Sequence, residues 1–175
     1  MELKVRVARQ NEYETVKNFY YGLIDKMQNS EYHPKWQKGI YPEDEYMRRA
    51  VEQGQMYLTE CDGRIIGAMI INHNTTDGYE RAHWSIKAEK DEVTVIHALG
   101  VMPDFGNRGV GKFMVGEVMK IAEQNGQKTV RLDVLAGNLP AEKLYKSMGF
   151  SFVERVKLFY EDTGLCSFDL YEYNL

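Results

Sequence analysis

Only two cysteines occur in the 175 residues, Cys61 and Cys166, too few and too far apart for a disulfide framework. Such scarcity suits a reducing compartment. No apolar run is long enough to span a bilayer. Met1 to Gln10 interleaves Glu2, Lys4, Arg6 and Arg9 with single apolar residues, a strand pattern rather than a signal peptide. The expectation is a soluble cytoplasmic protein with no membrane partner. A basic excess is also lacking. The formal net charge of −4 speaks against a broad nucleic-acid surface. His33, His73, His83 and His97 pair at ligand spacing neither with one another nor with a cysteine, so no metal site is expected. Repeats, linkers and low-complexity segments are absent. What remains, 43% hydrophobic and 27% charged residues, is the composition of one globular domain, 1–175, with a sizeable core.

Periodicity supplies the elements. Leu3, Val5 and Val7 alternate with charges as in a half-buried strand. Asn11 offers an N-cap to a helix carrying Val16, Phe19, Tyr20, Leu23, Ile24 and Met27. Pro42 opens a second helix, Glu43 to Gln53, stopped by Gly54. Strands Met56–Glu60 and Ile65–Ile71 flank Asp62-Gly63, a hairpin signal. Segments 29–41 and 72–90 have no clear period. The second half is more regular: strand Val93–Val101, helix Val110–Gln124, strand Thr129–Leu135, helix Asn138–Met148, then strands Phe150–Tyr160 and Cys166–Tyr173. This order implies an α/β or α+β layer around one mixed sheet. The terminal run Phe168 to Leu175 looks exposed. It either completes the sheet or offers an edge to a second subunit, so a homodimer is an option.

The sharpest feature is the loop Phe105-Gly106-Asn107-Arg108-Gly109-Val110-Gly111-Lys112, between a strand and a helix. Glycines let a ligand approach the backbone, and the first N–H groups of a helix lack internal partners, so a phosphate or pyrophosphate is favoured there. Gly106 to Lys112 fits most of a P-loop, but Phe113 stands where a Ser or Thr hydroxyl must hold Mg²⁺, which disfavours a nucleotide hydrolase. The dinucleotide pattern G-x-G-x-x-G fails because Met114 occupies the third glycine position.

Val101-Met102-Pro103-Asp104-Phe105-Gly106-Asn107-Arg108-Gly109-Val110-Gly111 resembles motif A of the GCN5-related N-acetyltransferase (GNAT) superfamily. Asn138-Leu139-Pro140-Ala141-Glu142-Lys143-Leu144-Tyr145-Lys146-Ser147-Met148-Gly149-Phe150 resembles its motif B at the same spacing. The resemblance covers about Ile65 to Tyr160. It departs from the family at Gly106, where a Gln or Arg is usual. The backbone N–H donors of 106–112 survive that change, and Arg108 or Lys112 can add a charged contact, although either can equally be solvated surface charge.

The resemblance implies a mixed, twisted central sheet of about seven strands flanked by helices. It further implies an acetyl-CoA-dependent N-acetyltransferase acting on a primary amine, small molecule or peptide, by direct transfer in a ternary complex. Backbone groups near Leu99 and Val101 then pair with the pantetheine arm, and the Val101 N–H points at the thioester oxygen. Tyr145 is the candidate general acid for the departing thiolate, and an amphipathic packing residue otherwise. Asn138 caps its helix or touches the cofactor, with Ala141 beside it. His97 is the candidate proton path from the amine, on one strand face with Leu99 and Val101 by alternation; the plain alternative is a buried, hydrogen-bonded ring. Glu80, Asp133 and water stay open as other bases. Trp36, Tyr41, Glu80 and Trp84 are candidates for acceptor binding, through aromatic faces and carboxylate, and each aromatic can instead be packing. A non-catalytic acyl-CoA sensor is the competing function on the same fold. The sequence leaves open which amine accepts the group and whether that group is acetyl or longer.

Overall fold

The expected elements form, most with ends shifted by one or two residues. A computed structural model describes residues 1–175. Its strands are β1 (Leu3–Val7), β2 (Met56–Cys61), β3 (Arg64–Asn72), β4 (Val93–Val101), β5 (Thr129–Leu135), β6 (Ser151–Tyr160) and β7 (Gly164–Asn174). The helices are α1 (Tyr13–Met27), α2 (Asp44–Glu52), α3 (Val110–Gln124) and α4 (Leu139–Ser147). All seven strands join one sheet in the order β1-β2-β3-β4-β5-β7-β6, antiparallel except for the β4–β5 pair. Asp62 and Gly63 take φ +49° and +75°, the left-handed pair that closes a tight β2–β3 hairpin. Asn11 does not cap α1. Glu12 precedes the first turn instead, and its carboxylate accepts the Arg9 N–H and two bonds from the Arg6 guanidinium. That carboxylate is held below the usual range by the Arg6 hydrogen bonds.

The sheet is covered on both faces. Met69 and Ile71 of β3 pack with Met114, Val115 and Val118 of α3, while Ala68 and Ile70 pack with Tyr20 and Leu23 of α1 and Met47 of α2. β7 is no edge. It lies between β5 and β6, with Phe168 to Glu172 buried, and the free edges are β1 and β6. Of the two options for the C-terminal run, it completes the sheet, and the exposed edge that made a homodimer an option is not at β7. β7 pairs along all of β5, from Thr129↔Asn174 to Leu135↔Phe168, so its apolar residues face covered layers on both sides.

Two irregularities of β4 position everything that follows. First, Ala68 pairs with Gly100 and Ile70 with His97, so Met69 alone opposes both Ala98 and Leu99. This is a β-bulge, and Ala98 sits at φ +48° within it. A left-handed conformation costs an L-residue about 1–2 kcal/mol. The buried Tyr20 hydroxyl donates to the Ala98 carbonyl at 2.9 Å and holds the distorted turn. The bulge resets side-chain alternation: Ile96, Leu99 and Val101 pack toward α3, Ala98 toward α1, and His97 meets Tyr46 of α2 edge-on. His97 therefore does not share a face with Leu99 and Val101, contrary to simple alternation. Second, β4 pairs with β5 only from Val93 to Val95, and beyond that the two strands part.

Segment 73–92 is irregular but fastened. The Arg131 guanidinium, buried on β5, bonds the Glu172 carboxylate at 3.0 Å and the Ile86 carbonyl at 2.6 Å, and stacks 4.3 Å from the Trp84 ring. Glu172 also accepts the Ser85 N–H at 2.9 Å. Removing one partner of a buried pair leaves the other charge uncompensated. Arg131→Ala is therefore expected to lower the unfolding free energy by about 3–5 kcal/mol in urea titration. A loss near 0.5 kcal/mol, typical of an exposed pair, would deny this clamp its role.

Candidate active site

The turn after β4 is shaped for an anion. Pro103–Phe105 forms one short 3-10 turn, the Gly106 N–H bonds back to the Pro103 carbonyl, and α3 starts at Val110. Gly109 stands at φ +80°, a conformation glycine adopts without steric cost. The N–H groups of residues 107 to 112 find no acceptor within the chain; the first bond closed is from Phe113 N–H to the Gly109 carbonyl, at 2.9 Å. These free donors and the positive end of the α3 dipole favour negative charge. Arg108 extends over the Phe105 ring, 5.6 Å from its centroid, and Arg108 and Lys112 are both exposed at the loop. At Gly111 an added Cβ would lie 3.1 Å from Leu144 of α4, so the glycine loop and α4 meet there directly.

Where β4 and β5 part, a cavity of about 110 Å³ opens between them. Met102 donates its N–H to the Ile66 carbonyl at 2.8 Å, so Val101, one residue earlier, turns its own N–H and C=O away from β3, toward the side vacated by β5. His97 and Leu99 line the cavity from β4, and Asn138, Ala141 and Tyr145 line it from the α4 side. The Asn138 side chain caps α4, accepting the Ala141 N–H at 3.3 Å. Tyr145 is buried, with its ring 5.5 Å from Phe150 and 6.4 Å from Tyr171, and its hydroxyl makes no hydrogen bond within the chain. Burial and then the nearby Asp133 charge push its phenol well above 10, so it stays protonated.

The tautomer of His97 follows from its neighbours. Asn72 Oδ1 accepts the Asn74 N–H at 2.9 Å, so it must be an oxygen, and His97 Nε2, also 2.9 Å away, must donate to it. Only Nδ1 is left to take a proton. Burial pushes the ring's pKa down to about 4. Asp133 is the opposite case. Tyr79 donates to it at 2.5 Å and Tyr160 at 3.1 Å, yet burial outweighs these bonds and raises its pKa. It too lines the cavity.

Of the acceptor candidates, Trp36 and Tyr41 stand in the cavity wall, 5.8 Å apart between ring centroids. Glu80 and Trp84 do not. Glu80 is exposed, accepts the Gly78 N–H and faces Arg81, and Trp84 is spent on Arg131 and Tyr79 in a separate groove. Their proximity in sequence to Tyr79 is misleading, because the 3-10 turn Tyr79–Arg81 sends only Tyr79 inward. Sequence reasoning missed Tyr160 and Asp162, which the β6–β7 hairpin carries to the cavity. The turn Glu161-Asp162-Thr163-Gly164 was visible, but nothing local marks where a hairpin tip docks.

Residues 23–150 match the sequence profile of the Acetyltransferase (GNAT) family. A 123-residue stretch is 29% identical to an uncharacterised N-acetyltransferase of Methanocaldococcus jannaschii, covering 70% of this chain and 49% of that protein. The chain thus spans about half the length of that relative. A GNAT family acetyltransferase structure from Listeria monocytogenes has a TM-score of 0.76 at 21% identity, covering 100% of this chain and 96% of the other. Arabidopsis thaliana NAA60, solved in complex with acetyl-CoA, has a TM-score of 0.70 at 20% identity, covering 99% of both chains. The profile takes in the glycine loop, the parted strands and α4 together, and the chain belongs to the acetyltransferase (GNAT) family.

Proposed function

We propose that the protein transfers an acetyl group from acetyl-CoA to a primary amine, directly and within a ternary complex. One observation carries this reading: a run of unpaired N–H donors, residues 107 to 112, follows directly on β4, the strand that parts from β5 beyond Val95. Those donors fit a pyrophosphate, and the outward backbone of Val101 fits an amide-containing arm lying in the gap. Acetyl-CoA supplies the activated acyl group as a thioester. The Val101 N–H stabilises negative charge that builds on the carbonyl oxygen during attack. Tyr145, kept protonated by burial, gives its hydrogen bond and then its proton to the departing sulfur.

The amine must lose a proton to attack. His97, with a pKa near 4, is poorly matched to that task at neutral pH. We assign it to positioning, as a neutral ring tied to Asn72. Asp133, whose pKa is raised and which is linked through Tyr160 to Thr76, is the better acceptor for the proton. The full sequence balances with two protons leaving nitrogen: Asp133 takes the first and passes it to solvent, the freed amine bonds to the acyl carbon, the C–S bond breaks as Tyr145 gives its proton to sulfur, and the second proton lost at nitrogen restores Tyr145.

Calorimetric titration with acetyl-CoA, followed by a thiol-release assay across an amine panel, tests the reading. Saturable binding with thiol release supports it. Binding without release for any amine would point to an acyl-CoA sensor instead. Tyr145→Phe should lower kcat at least about 100-fold while moving acetyl-CoA affinity less than threefold; an unchanged single-turnover rate removes Tyr145 from the acid role. Gly109→Ala forces a Cβ into the left-handed region and disturbs the N–H array, so acetyl-CoA should bind about tenfold more weakly. Unaltered affinity would locate the pyrophosphate elsewhere.

The pH dependence of His97 has a definite sign. Its folded pKa is depressed below the unfolded value of about 6.5. The stability it contributes is complete above pH 6.5 and is lost as pH falls toward 4. His97→Gln, which can still donate to Asn72, should lose less stability than the wild type between pH 7 and 4.5 in urea unfolding. Its rate profile should keep the wild-type midpoint on the acidic side. A midpoint shifted by this variant would restore His97 as the base.

A further inference from the structure

The cavity wall includes a half-buried carboxylate with one oxygen left over. Asp162, at the tip of the β6–β7 hairpin, has its Oδ1 buried without a hydrogen-bond partner. The tip itself is fastened, since Gln37 donates to the Asp162 carbonyl at 3.0 Å and the Cys166 thiol to the Thr163 carbonyl at 3.2 Å. Burial raises its pKa above the ordinary value, against the opposing pull of the backbone N–H groups of Asp162 and Thr163 and of the Lys35 charge. A buried acceptor left unpaired is costly, about 1–3 kcal/mol, and such groups in a native protein call for an explanation.

The surroundings specify what would pair with it. The cavity wall contains Asp133 and Asp162 but no lysine or arginine; the one basic side chain that acts on Asp162, Lys35, is exposed to solvent beside the wall residues Pro34 and Trp36. Trp36, Tyr41, Tyr160 and Phe168 form a continuous aromatic run, with successive centroids 5.8, 5.5 and 5.0 Å apart. Aromatic faces beside a partly desolvated carboxylate attract a cation and repel an anion. Asp133 is already satisfied by two tyrosine hydroxyls, whereas Asp162 is not.

This charge does not suit the amine that reacts. An opposite charge in contact holds an ammonium protonated, and a protonated amine cannot attack. The reacting nitrogen belongs instead beside Val101 and Tyr145. We infer that the acceptor is a dication: beyond the amine that is acetylated it carries a second ammonium or guanidinium, which pairs with Asp162 between the aromatic rings. The inference rests on the transferase reading for the placement of the reacting end, but its test does not depend on turnover.

The test is equilibrium binding to the protein saturated with CoA, which permits no transfer, and to the protein alone. The probes are 1,4-diaminobutane, butylamine and 4-aminobutanoate, matched in length and differing only in the charge at the far end. The diamine should bind at least tenfold more tightly than butylamine, and the amino acid most weakly. Asp162→Asn should erase the gap between diamine and monoamine while leaving butylamine affinity within twofold. Trp36→Leu, which keeps apolar volume but removes the ring face, should narrow the gap about threefold. Equal binding of diamine and butylamine, no binding of the diamine, or a gap that survives Asp162→Asn would overturn the inference. Thiol release from acetyl-CoA with any amine, measured separately, tests the transferase reading itself.

Discussion

The hydrogen bond from Tyr20 to the Ala98 carbonyl is the contact on which the site turns. It joins α1 to the one residue of β4 held in a left-handed conformation, and so stabilises a bulge that the strand would otherwise lose. Three consequences follow from that bulge. Leu99 and Val101 turn toward α3 while His97 stays toward α2. β4 bends away from β5 after only Val93 to Val95 have paired. The backbone of Val101 is left facing the opening. A regular strand would have continued its ladder with β5 and closed the gap. The strain is tolerated because the rest of the sheet is well supported: β5 is paired along its length by β7, and β3 is packed on both faces.

Charge is divided along the same axis. The positive potential lies at the loop after β4, in the N–H groups at 107 to 112, the α3 dipole and the exposed side chains of Arg108 and Lys112. The negative potential lies in Asp133 and Asp162, in a cavity wall that contains no lysine or arginine. Between them stand groups that burial keeps neutral: Tyr145, whose pKa is pushed up, and His97, whose pKa is pushed down. On the proposed reading, the loop suits an anionic donor and the cavity a cationic acceptor, with weakly polar groups between. Low polarity there strengthens whatever hydrogen bonds form to charge developing in the reaction.

The segments without periodicity turn out to be the ones that line and brace this zone. Segment 29–41 brings Trp36 and Tyr41 to the cavity, with Gln37 anchored to the β6–β7 tip. Segment 73–92 sets Tyr79 on Asp133 and is itself tied down by Arg131 and Glu172. Lacking helical or strand patterning, these stretches are ordered by side-chain bonds to distant strands. A change at Arg131 or Glu172 would for that reason reach the cavity through Tyr79.

Local sequence alone determined a good deal. The spacing of Val110, Met114 and Val118 set α3, the Asp62-Gly63 pair set its hairpin, and the glycine run at 106–111 marked an anion loop whose donors are indeed free. Such features depend on residues within a few positions of one another, so they are visible in the chain. The motif pair around Val101 and Tyr145 likewise marked which strand and helix would frame the site. What only the tertiary structure decided depends on contacts across long separations. Tyr20 lies 78 positions from Ala98, and without that contact alternation puts His97 on the wrong face. β7 looks like a free edge until β6 is placed outside it. Glu80 and Trp84 resemble site residues until Arg131 claims the tryptophan ring. Asp162 resembles an ordinary turn aspartate until the hairpin docks and buries one of its carboxylate oxygens. Burial, register and the partner left missing are properties of the assembled layers, and no spacing within a single segment encodes them.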